Sequence, residues 1–421
     1  MICSQKDETI GKKEIMIHSF LRKGCILALF LMICLVAFPY ASFPQIHHPS
    51  LRISAPSAVL MDFLSGQVLY EQNSRSKIAP ASFIKILTLY VALETIRARD
   101  LKMEDRVTVS QKAWRVGGSK MFLKVGEGVR LEDLLKGIAI VSGNDACVAL
   151  AEYMAGSEDV FVLEMNKRAQ LLGLVDSQFK NSHGMPAEGQ HMTALDMTLL
   201  ARRYIEDHPE ALVLHSTKVF EHHGIRQHNR NTLLKRHIGV DGLITGYVEE
   251  SGYHLAVTAK RDSQRMIAVV MGCRTMEQRA REAQKLLEYG FRNFSTVKAF
   301  EKDIRLGPQK VIRGKQSEVY LVPAEEAWVT VAKGKEKSVA LTTEVPEYVN
   351  APIQKGQRVG IVSIRSEGSV LKEIALLSSS EVPKELSLLW PLVGGGIFGF
   401  ILIGLIVFFR IHRPHRRRFQ R

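Results

Sequence analysis

A stretch without any charged residue, 388–409, places the strongest constraint on how this chain can fold. As a helix it would be about 33 Å long, enough to cross the hydrocarbon layer of a bilayer. Arg410 and further arginines follow it, with no acid before the C-terminus, and positive flanks stay cytoplasmic. A buried core helix is the alternative, but it would not explain this arginine cluster. The sequence therefore predicts a transmembrane helix over 388–409, a basic cytoplasmic tail over 410–421, and an extracytoplasmic body on the periplasmic face of the cell membrane.

A second apolar run, residues 25–38, follows the basic pair Arg22 and Lys23 near the N-terminus. A basic region followed by an apolar run of this length is typical of a secretory signal peptide. The run is shorter than the roughly 20 residues that a membrane helix needs. Because no clean cleavage site follows, we predict that residues 1–42 are either a signal peptide or an uncleaved N-terminal anchor.

The formal net charge of +14 is concentrated beside these two apolar segments. Such an excess orients a protein in the membrane, so we expect no nucleic-acid partner. A hydrophobic content of 46% with 24% charged residues excludes a disordered chain.

The body divides by its pattern of apolar residues. Residues 57–72 predict a hairpin, 81–97 a buried helix, 131–208 a helix-rich region and 253–272 two further strands, before a last helix over 276–294. Strands at both ends with helices between them predict an α/β sandwich with a mostly antiparallel sheet flanked by helices.

The composition changes after this sandwich. We assign 43–298 to the sandwich domain, 299–378 to a small β-rich domain made of short apolar runs, and 379–387 to a linker.

The spacing Ser-x-x-Lys is common in this chain and occurs, among other positions, at Ser74, Ser82, Ser177 and Ser369. Only Ser82 begins an apolar helix, just after Pro80, so that Lys85 lies one turn further on the same side. Burial and the positive helix N-terminus lower the pKa of a lysine there, and a neutral amine can take a proton from Ser82. Backbone amides at the helix start can hold an oxyanion. A capping serine with a snorkelling lysine is the alternative.

Two triplets add to this pair. Ser142-Gly143-Asn144 separates two apolar helical runs, which puts a hydroxyl and an amide on a tight turn. Ile244-Thr245-Gly246 begins the strand region, and a strand edge can bind an extended peptide through its backbone. Alone, each triplet is more typical of a turn. Together and in this order, they resemble the Ser-x-x-Lys, Ser-x-Asn and Lys-Thr-Gly set of penicillin-recognising serine enzymes.

The resemblance extends over about 55–298. Residues 118–166, FKNSHGMP (179–186), HNRNTLL (228–234), 241–259 and VVMGCRT (269–275) are similar to the D-alanyl-D-alanine carboxypeptidases among the low-molecular-mass penicillin-binding proteins. The β-rich domain and the C-terminal membrane attachment also fit that family. The resemblance implies the β-lactamase/transpeptidase-like form of the sandwich.

The resemblance also implies roles for individual residues. Ser82 would be the acylated nucleophile, Lys85 its base, and Ser142 a proton relay near the leaving group. Substrate binding would fall to Asn144 for the amide and to the third triplet, Ile244-Thr245-Gly246, together with Arg274 for the terminal carboxylate region.

The implied reaction removes the last D-alanine from peptidoglycan pentapeptide stems through an acyl-enzyme intermediate, in cell wall biogenesis and shape maintenance. β-Lactams would be covalent inhibitors, and no cofactor is expected.

Ile244 departs from the family pattern, which has a lysine at this position. Losing one charge-assisted hydrogen bond costs about 1.5–3 kcal/mol. We therefore expect a carboxypeptidase whose activity is reduced, with Arg226, Arg230 or Arg274 as candidates to supply the missing charge. The alternative is a catalytically impaired pseudoenzyme that binds peptidoglycan stems or a wall-synthesis partner. The sequence has no Glu-x-x-Leu-Asn element to deacylate a β-lactamase intermediate.

The remaining histidines and cysteines suggest no further chemistry. His222, His223 and His228 lie on a polar loop, and we predict no metal site there. Cys147 lies in an apolar helical run, where a buried free thiol is expected, and its spacing from Cys273 indicates no disulfide.

Overall fold

The computed structural model of the chain describes residues 51–385, 401–408 and 410. The predicted signal or anchor at 1–42 lies outside the described residues, as do 388–400 and 409 of the predicted membrane helix and 411–421 of the tail. Residues 401–408 are helical and exposed. Within the described ranges, we find no helix whose length and hydropathy would let it span a bilayer.

A five-stranded antiparallel sheet is the centre of the sandwich domain. The strands of this domain are β1 (Ser57–Asp62), β2 (Val68–Gln72), β3 (Arg106–Thr108), β4 (Gly128–Arg130), β5 (Val219–His222), β6 (Ile225–His228), β7 (Val240–Val248), β8 (Gly252–Arg261) and β9 (Gln264–Cys273). The central sheet has the order β2-β1-β9-β8-β7, so β7 is an edge strand. Short pairs β3–β4 and β5–β6 lie outside it.

Helices cover both faces of this sheet. They are α1 (Ile84–Arg99), α2 (Gln111–Arg115), α3 (Leu131–Val141), α4 (Asn144–Ala155), α5 (Glu158–Leu171), α6 (Ala194–Asp207), α7 (Ala211–Ser216) and α8 (Met276–Asn293). Alternate residues of β1 enter opposite hydrophobic clusters, Val59 with α1 and α3–α6, and Ala58 and Leu60 with α8. The predicted sandwich with an antiparallel sheet is confirmed.

Helix α1 is buried along its first ten residues, as its almost uniformly apolar sequence predicts. It crosses the centre of the larger cluster, and this position explains why Lys85 is enclosed. Cys147 and Cys273 are both buried and free.

The β-rich domain contains its own hydrophobic cluster. Its strands are β10 (Phe294–Phe300), β11 (Leu306–Ile312), β12 (Glu318–Pro323), β13 (Ala327–Ala332), β14 (Val339–Glu344), β15 (Val349–Asn350), β16 (Arg358–Ser366) and β17 (Ser369–Ser378). A six-stranded sheet has the order β14-β16-β17-β12-β11-β15, and β10 pairs with β13.

Two predicted boundaries differ from the structure. The boundary at 298/299 falls inside β10, because the chain passes directly from α8 into this strand. Residues 379–385 are not a free linker. Val382 bridges to Ile353 and Lys384 to Gly314, so these residues extend the β-rich domain by backbone hydrogen bonds.

Candidate active site

Ser82 lies on a constrained turn at the start of α1. Residues Ala81–Phe83 form a 3-10 turn, and Ala81 has a left-handed φ of 49°. The carbonyl oxygen of Ala81 passes so close to Gly184 that a Cβ there would lie 1.9 Å from it. Since left-handed non-glycine residues persist only where their surroundings hold them, the loop around Gly184 fixes the backbone that carries Ser82.

Lys85 connects three polar side chains from inside the protein. Its Nζ donates to Ser82 Oγ at 2.9 Å, to Ser142 Oγ at 3.0 Å and to Asn144 Oδ1 at 2.7 Å. These acceptors are all neutral, and the side chain is fully buried. Burial, together with the nearby charge of Arg230, lowers the pKa of Lys85 to about 8. A useful fraction of the amine is therefore neutral near pH 8.

Ser142 closes the network. It is the left-handed residue, with φ 60°, that separates α3 from α4, and its Oγ donates to Ser82 Oγ at 2.9 Å. Asn144 begins α4, and its Nδ2 donates to Gly117 O at 2.7 Å. The predicted interhelical turn thus brings Ser142 and Asn144 to the Ser82–Lys85 pair. A proton can pass directly between the hydroxyl groups of Ser82 and Ser142. The Asn144 side chain is fixed by hydrogen bonds at both its oxygen and its nitrogen.

Asp145 stabilises the segment that carries Ser142 and Asn144, and the sequence analysis did not identify it. Its carboxylate accepts from the backbone amides of Met121, Phe122 and Leu123 at 2.8–3.2 Å. The loop before β4 is thereby held against the start of α4. The sequence feature that could have indicated Asp145 is an acidic residue directly after Ser-Gly-Asn, in the first turn of a helix, where negative charge is favoured.

The opposite wall is the edge strand β7. Thr245 and Gly246 line the cleft, and a Cβ at Gly246 would lie 3.2 Å from Ala81 Cβ, which shows how closely the strand passes the Ser82 turn. Ile244 is only 3% exposed and belongs to the larger hydrophobic cluster. Position 244 therefore contributes packing here, not charge.

The two walls enclose a cleft of about 720 Å³. Ser82, Ser142 and Asn144 line one side of it and Thr245 and Gly246 the other. An extended peptide can lie along β7 with a carbonyl carbon near Ser82 Oγ, because the strand has no neighbour on its outer edge in the described sheet.

Arg230 and Arg279 line this cleft, whereas Arg274, which we predicted to bind the substrate carboxylate, does not. Arg274 is exposed and lies outside the cleft lining, and its amide donates to Gln278 Oε1 at 2.8 Å. Helix α8 instead turns Arg279 inward, where Nη1 donates to Gly246 O at 3.0 Å and burial lowers its pKa to about 10. Of the candidates weighed from sequence, Arg230 lines the cleft. Arg279 was missed because helix rotation decides which arginine enters the site.

Comparison with known proteins agrees with this geometry. Residues 44–275 match the family model described as D-alanyl-D-alanine carboxypeptidase, and 294–384 match the C-terminal domain of penicillin-binding protein 5. The D-alanyl-D-alanine carboxypeptidase DacC of Escherichia coli is 39% identical over 86% of this chain and 92% of its own length.

Solved structures are also similar. Penicillin-binding protein 5 from Haemophilus influenzae aligns with a TM-score of 0.78 at 35% identity, covering 80% of this chain and all of that one. Penicillin-binding protein D2 from Listeria monocytogenes, solved in an ampicillin-bound form, aligns with a TM-score of 0.53 at 30% identity over 58% of this chain and all of that one. With the site geometry, these matches show that the chain belongs to the serine-type D-alanyl-D-alanine carboxypeptidase family.

Proposed function

We propose that this carboxypeptidase removes the terminal D-alanine of peptidoglycan pentapeptide stems by way of an acyl-enzyme on Ser82. The observation that carries this proposal is the position of Lys85 Nζ, which contacts Ser82, Ser142 and Asn144 at hydrogen-bond distance from a buried position. An amine whose pKa is lowered to about 8 is suited to act as a general base.

In the acylation step, neutral Lys85 takes the proton of Ser82 Oγ while this oxygen attacks the carbonyl carbon of the penultimate D-alanine. Backbone amides at the start of α1 stabilise the oxyanion. The proton then moves from Lys85 through Ser142 Oγ to the nitrogen of the leaving D-alanine. The short contacts among the three side chains support this relay, since each transfer spans about 3 Å.

Deacylation reverses these roles. Water attacks the Ser82 ester, Lys85 accepts its proton, and the proton returns to Ser82 Oγ as the shortened stem leaves. The step needs no further base.

The stem peptide binds along β7. Asn144 hydrogen-bonds an amide of the stem, while Thr245 and the backbone at Gly246 bind the end of the substrate. Arg230 and Arg279 supply the positive charge for the terminal carboxylate, because both line the cleft and position 244 carries none. Arg274 has no part in this scheme.

The decisive experiment measures D-alanine release from a pentapeptide ending in D-Ala-D-Ala, with the same peptide ending in D-Ala-L-Ala as the matched control. We expect release from the first peptide only. Binding of the D-Ala-D-Ala peptide without release would favour the pseudoenzyme alternative. No binding by a folded protein would contradict both functions.

We also propose that residues 388–409 anchor the enzyme in the cell membrane, with the catalytic domain exported by residues 1–42. The uncharged stretch and the arginines after it support this topology. Alkaline carbonate should leave the full chain in the membrane fraction, whereas a stop codon at position 386 should release it. Release of the full chain by carbonate would rule out an integral anchor.

A further inference from the structure

A polar cluster outside the cleft lining is formed by Glu127, His222 and His223, and we call it the hairpin cluster. His223 Nε2 lies 2.6 Å from Glu127 Oε1, and His222 Nε2 lies 3.4 Å from the same oxygen. One potential ligand atom from each residue lies within 4.8 Å of the others. Three donors of this kind are close enough to share one ion.

The backbone turn brings the two imidazoles together. Neighbouring residues of a strand normally point to opposite faces. Here His223 and Gly224 have φ values of 48° and 74°, as in a two-residue type I′ hairpin turn. Both histidine rings consequently lie on one side, with centroids 4.1 Å apart. Asn-Gly is the favoured pair for such a turn, so turn formation alone does not explain the histidine.

In the hairpin cluster, the glutamate is held by a hydrogen bond, whereas one buried imidazole nitrogen has no hydrogen-bond partner among the described residues. Glu127 Oε2 accepts from the amide of Lys124 at 2.9 Å, which aims Oε1 at the imidazoles. His222 Nε2 is buried and finds no hydrogen-bond partner among the residues that the structure describes. Buried polar atoms are nearly always satisfied, and the exceptions call for an unseen water or ion.

We propose that the hairpin cluster is a zinc site. Two imidazole nitrogens and one carboxylate oxygen are a ligand set that zinc takes, with a water in the fourth position. A metal ion would satisfy His222 Nε2. The hydrogen bond that already holds Glu127 is the kind of outer support that metal-binding carboxylates have.

A zinc ion in the hairpin cluster would affect the cleft by stabilising the segment after β6, which lines it. It would join β5–β6 to the residues before β4, where Gln227 Nε2 already donates to Lys120 O at 3.2 Å. Asn229 and Arg230 follow β6 immediately and line the cleft. Zinc would thus steady the segment that carries Arg230, and its removal should raise KM more than it lowers kcat.

The test uses the full chain in detergent, stripped with a chelator and titrated with zinc ions by calorimetry. We expect one tight site per chain, and visible absorption of tetrahedral Co²⁺ at the same stoichiometry. His222→Ala and His223→Asn should each weaken zinc binding by about 100-fold or more, since loss of even an outer-shell partner costs about 10- to 100-fold. His223→Asn keeps a residue suited to the turn, so it separates ligand loss from unfolding.

His228→Ala is the matched control, because His228 is exposed on the same hairpin and outside the hairpin cluster. It should bind zinc as the wild type does. Acylation by penicillin reports that each variant is folded and does not depend on the zinc proposal. Equal zinc affinity of the wild type, His222→Ala and His223→Asn would overturn the proposal, and so would the absence of a tight site in the wild type.

Discussion

The two walls of the cleft reach their function by different means. On the helical wall, Ser82, Lys85, Ser142 and Asn144 form a closed hydrogen-bond network around a buried amine. On the strand wall, β7 offers mainly backbone groups, and the residue before Thr245 is a buried isoleucine. The helical wall therefore acts through its side chains, and the strand wall acts mostly through the backbone groups of β7.

This contrast separates bond cleavage from substrate capture. The lysine-based relay is complete within the helical wall, so acylation does not require a cation at position 244. Carboxylate capture loses that cation and must rely on arginines from the segment after β6 and from α8. Changes on the helical wall should therefore affect kcat, and changes on the strand side should affect KM.

The largest effect is expected from Ser82→Ala. Removing the nucleophile should lower D-alanine release by at least about 10⁴-fold, as loss of a catalytic serine does elsewhere. Covalent labelling by fluorescent penicillin, mapped by peptide mass spectrometry, should disappear. Ser369→Ala, at another Ser-x-x-Lys position on an exposed strand residue, should keep both activities. An adduct on any serine except Ser82 would contradict the assignment.

Lys85→Arg tests the base. An arginine retains the charge but cannot give up its proton at neutral pH, so acylation should fall about 10²- to 10⁴-fold. In the wild type, the neutral amine is the active form. The acylation rate should therefore rise tenfold per unit as the pH increases toward about 8 and level off above it.

The stopped-flow rate of penicillin acylation between pH 5 and 10 measures this profile. A flat profile in the wild type would mean that Lys85 is not the proton acceptor. The same rise in Lys85→Arg would assign the titration to another group.

Arg230→Gln examines the strand side of the comparison. Loss of a charged hydrogen bond to the substrate carboxylate should lower kcat/KM by about 10- to 100-fold, mainly through KM. Because the charge of Arg230 contributes to the lowered pKa of Lys85, the midpoint of the pH profile should also move to higher pH. Arg274→Gln, outside the cleft, is the matched control and should behave like the wild type. Equal effects of the two changes would remove Arg230 from substrate binding.

Ile244→Lys should produce the smallest change in activity, and it should be an increase, not a loss. Restoring a cation beside Thr245 should raise kcat/KM on a D-Ala-D-Ala peptide by about tenfold. The side chain replaces a buried isoleucine, so the thermal midpoint should fall. Ile244→Met, which keeps an apolar side chain, separates packing from charge. If the lysine adds nothing, the arginines already supply the full charge, and the variant should then be combined with Arg230→Gln.

The sequence was most informative where the chemistry is local. Ser82 and Lys85 are one helical turn apart, and Ser142 and Asn144 flank one turn, so each pair follows from short-range spacing. The fold then joins the two pairs by hydrogen bonds between residues 57 to 60 positions apart. Arg274 was a wrong choice for the cleft, because the rotation of α8 turns Arg279 inward instead. Rotation depends on packing across the sheet, which spacing does not encode.

Contacts between residues far apart in the chain could not be predicted from the sequence either. Residues 379–385 have the composition of a linker, yet Val382 and Lys384 bridge to distant parts of the β-rich domain. The hairpin cluster joins His222 and His223 to a glutamate far earlier in the chain, so no metal-binding motif appears in the sequence. A pattern search sees such partners only when they lie close together along the chain.

The open edge of β7 also affects how the protein behaves in concentrated solution. A bare strand edge is a template on which a strand of another molecule can pair, the first step of sheet-driven aggregation. The bulge between Val240 and Gly242 and the acidic residues Glu249 and Glu250 protect the two ends of the strand. Its middle has to stay bare for a substrate to bind. Colloidal stability should consequently be greatest while the cleft is occupied, and the empty enzyme is the form that most needs low protein concentration during storage.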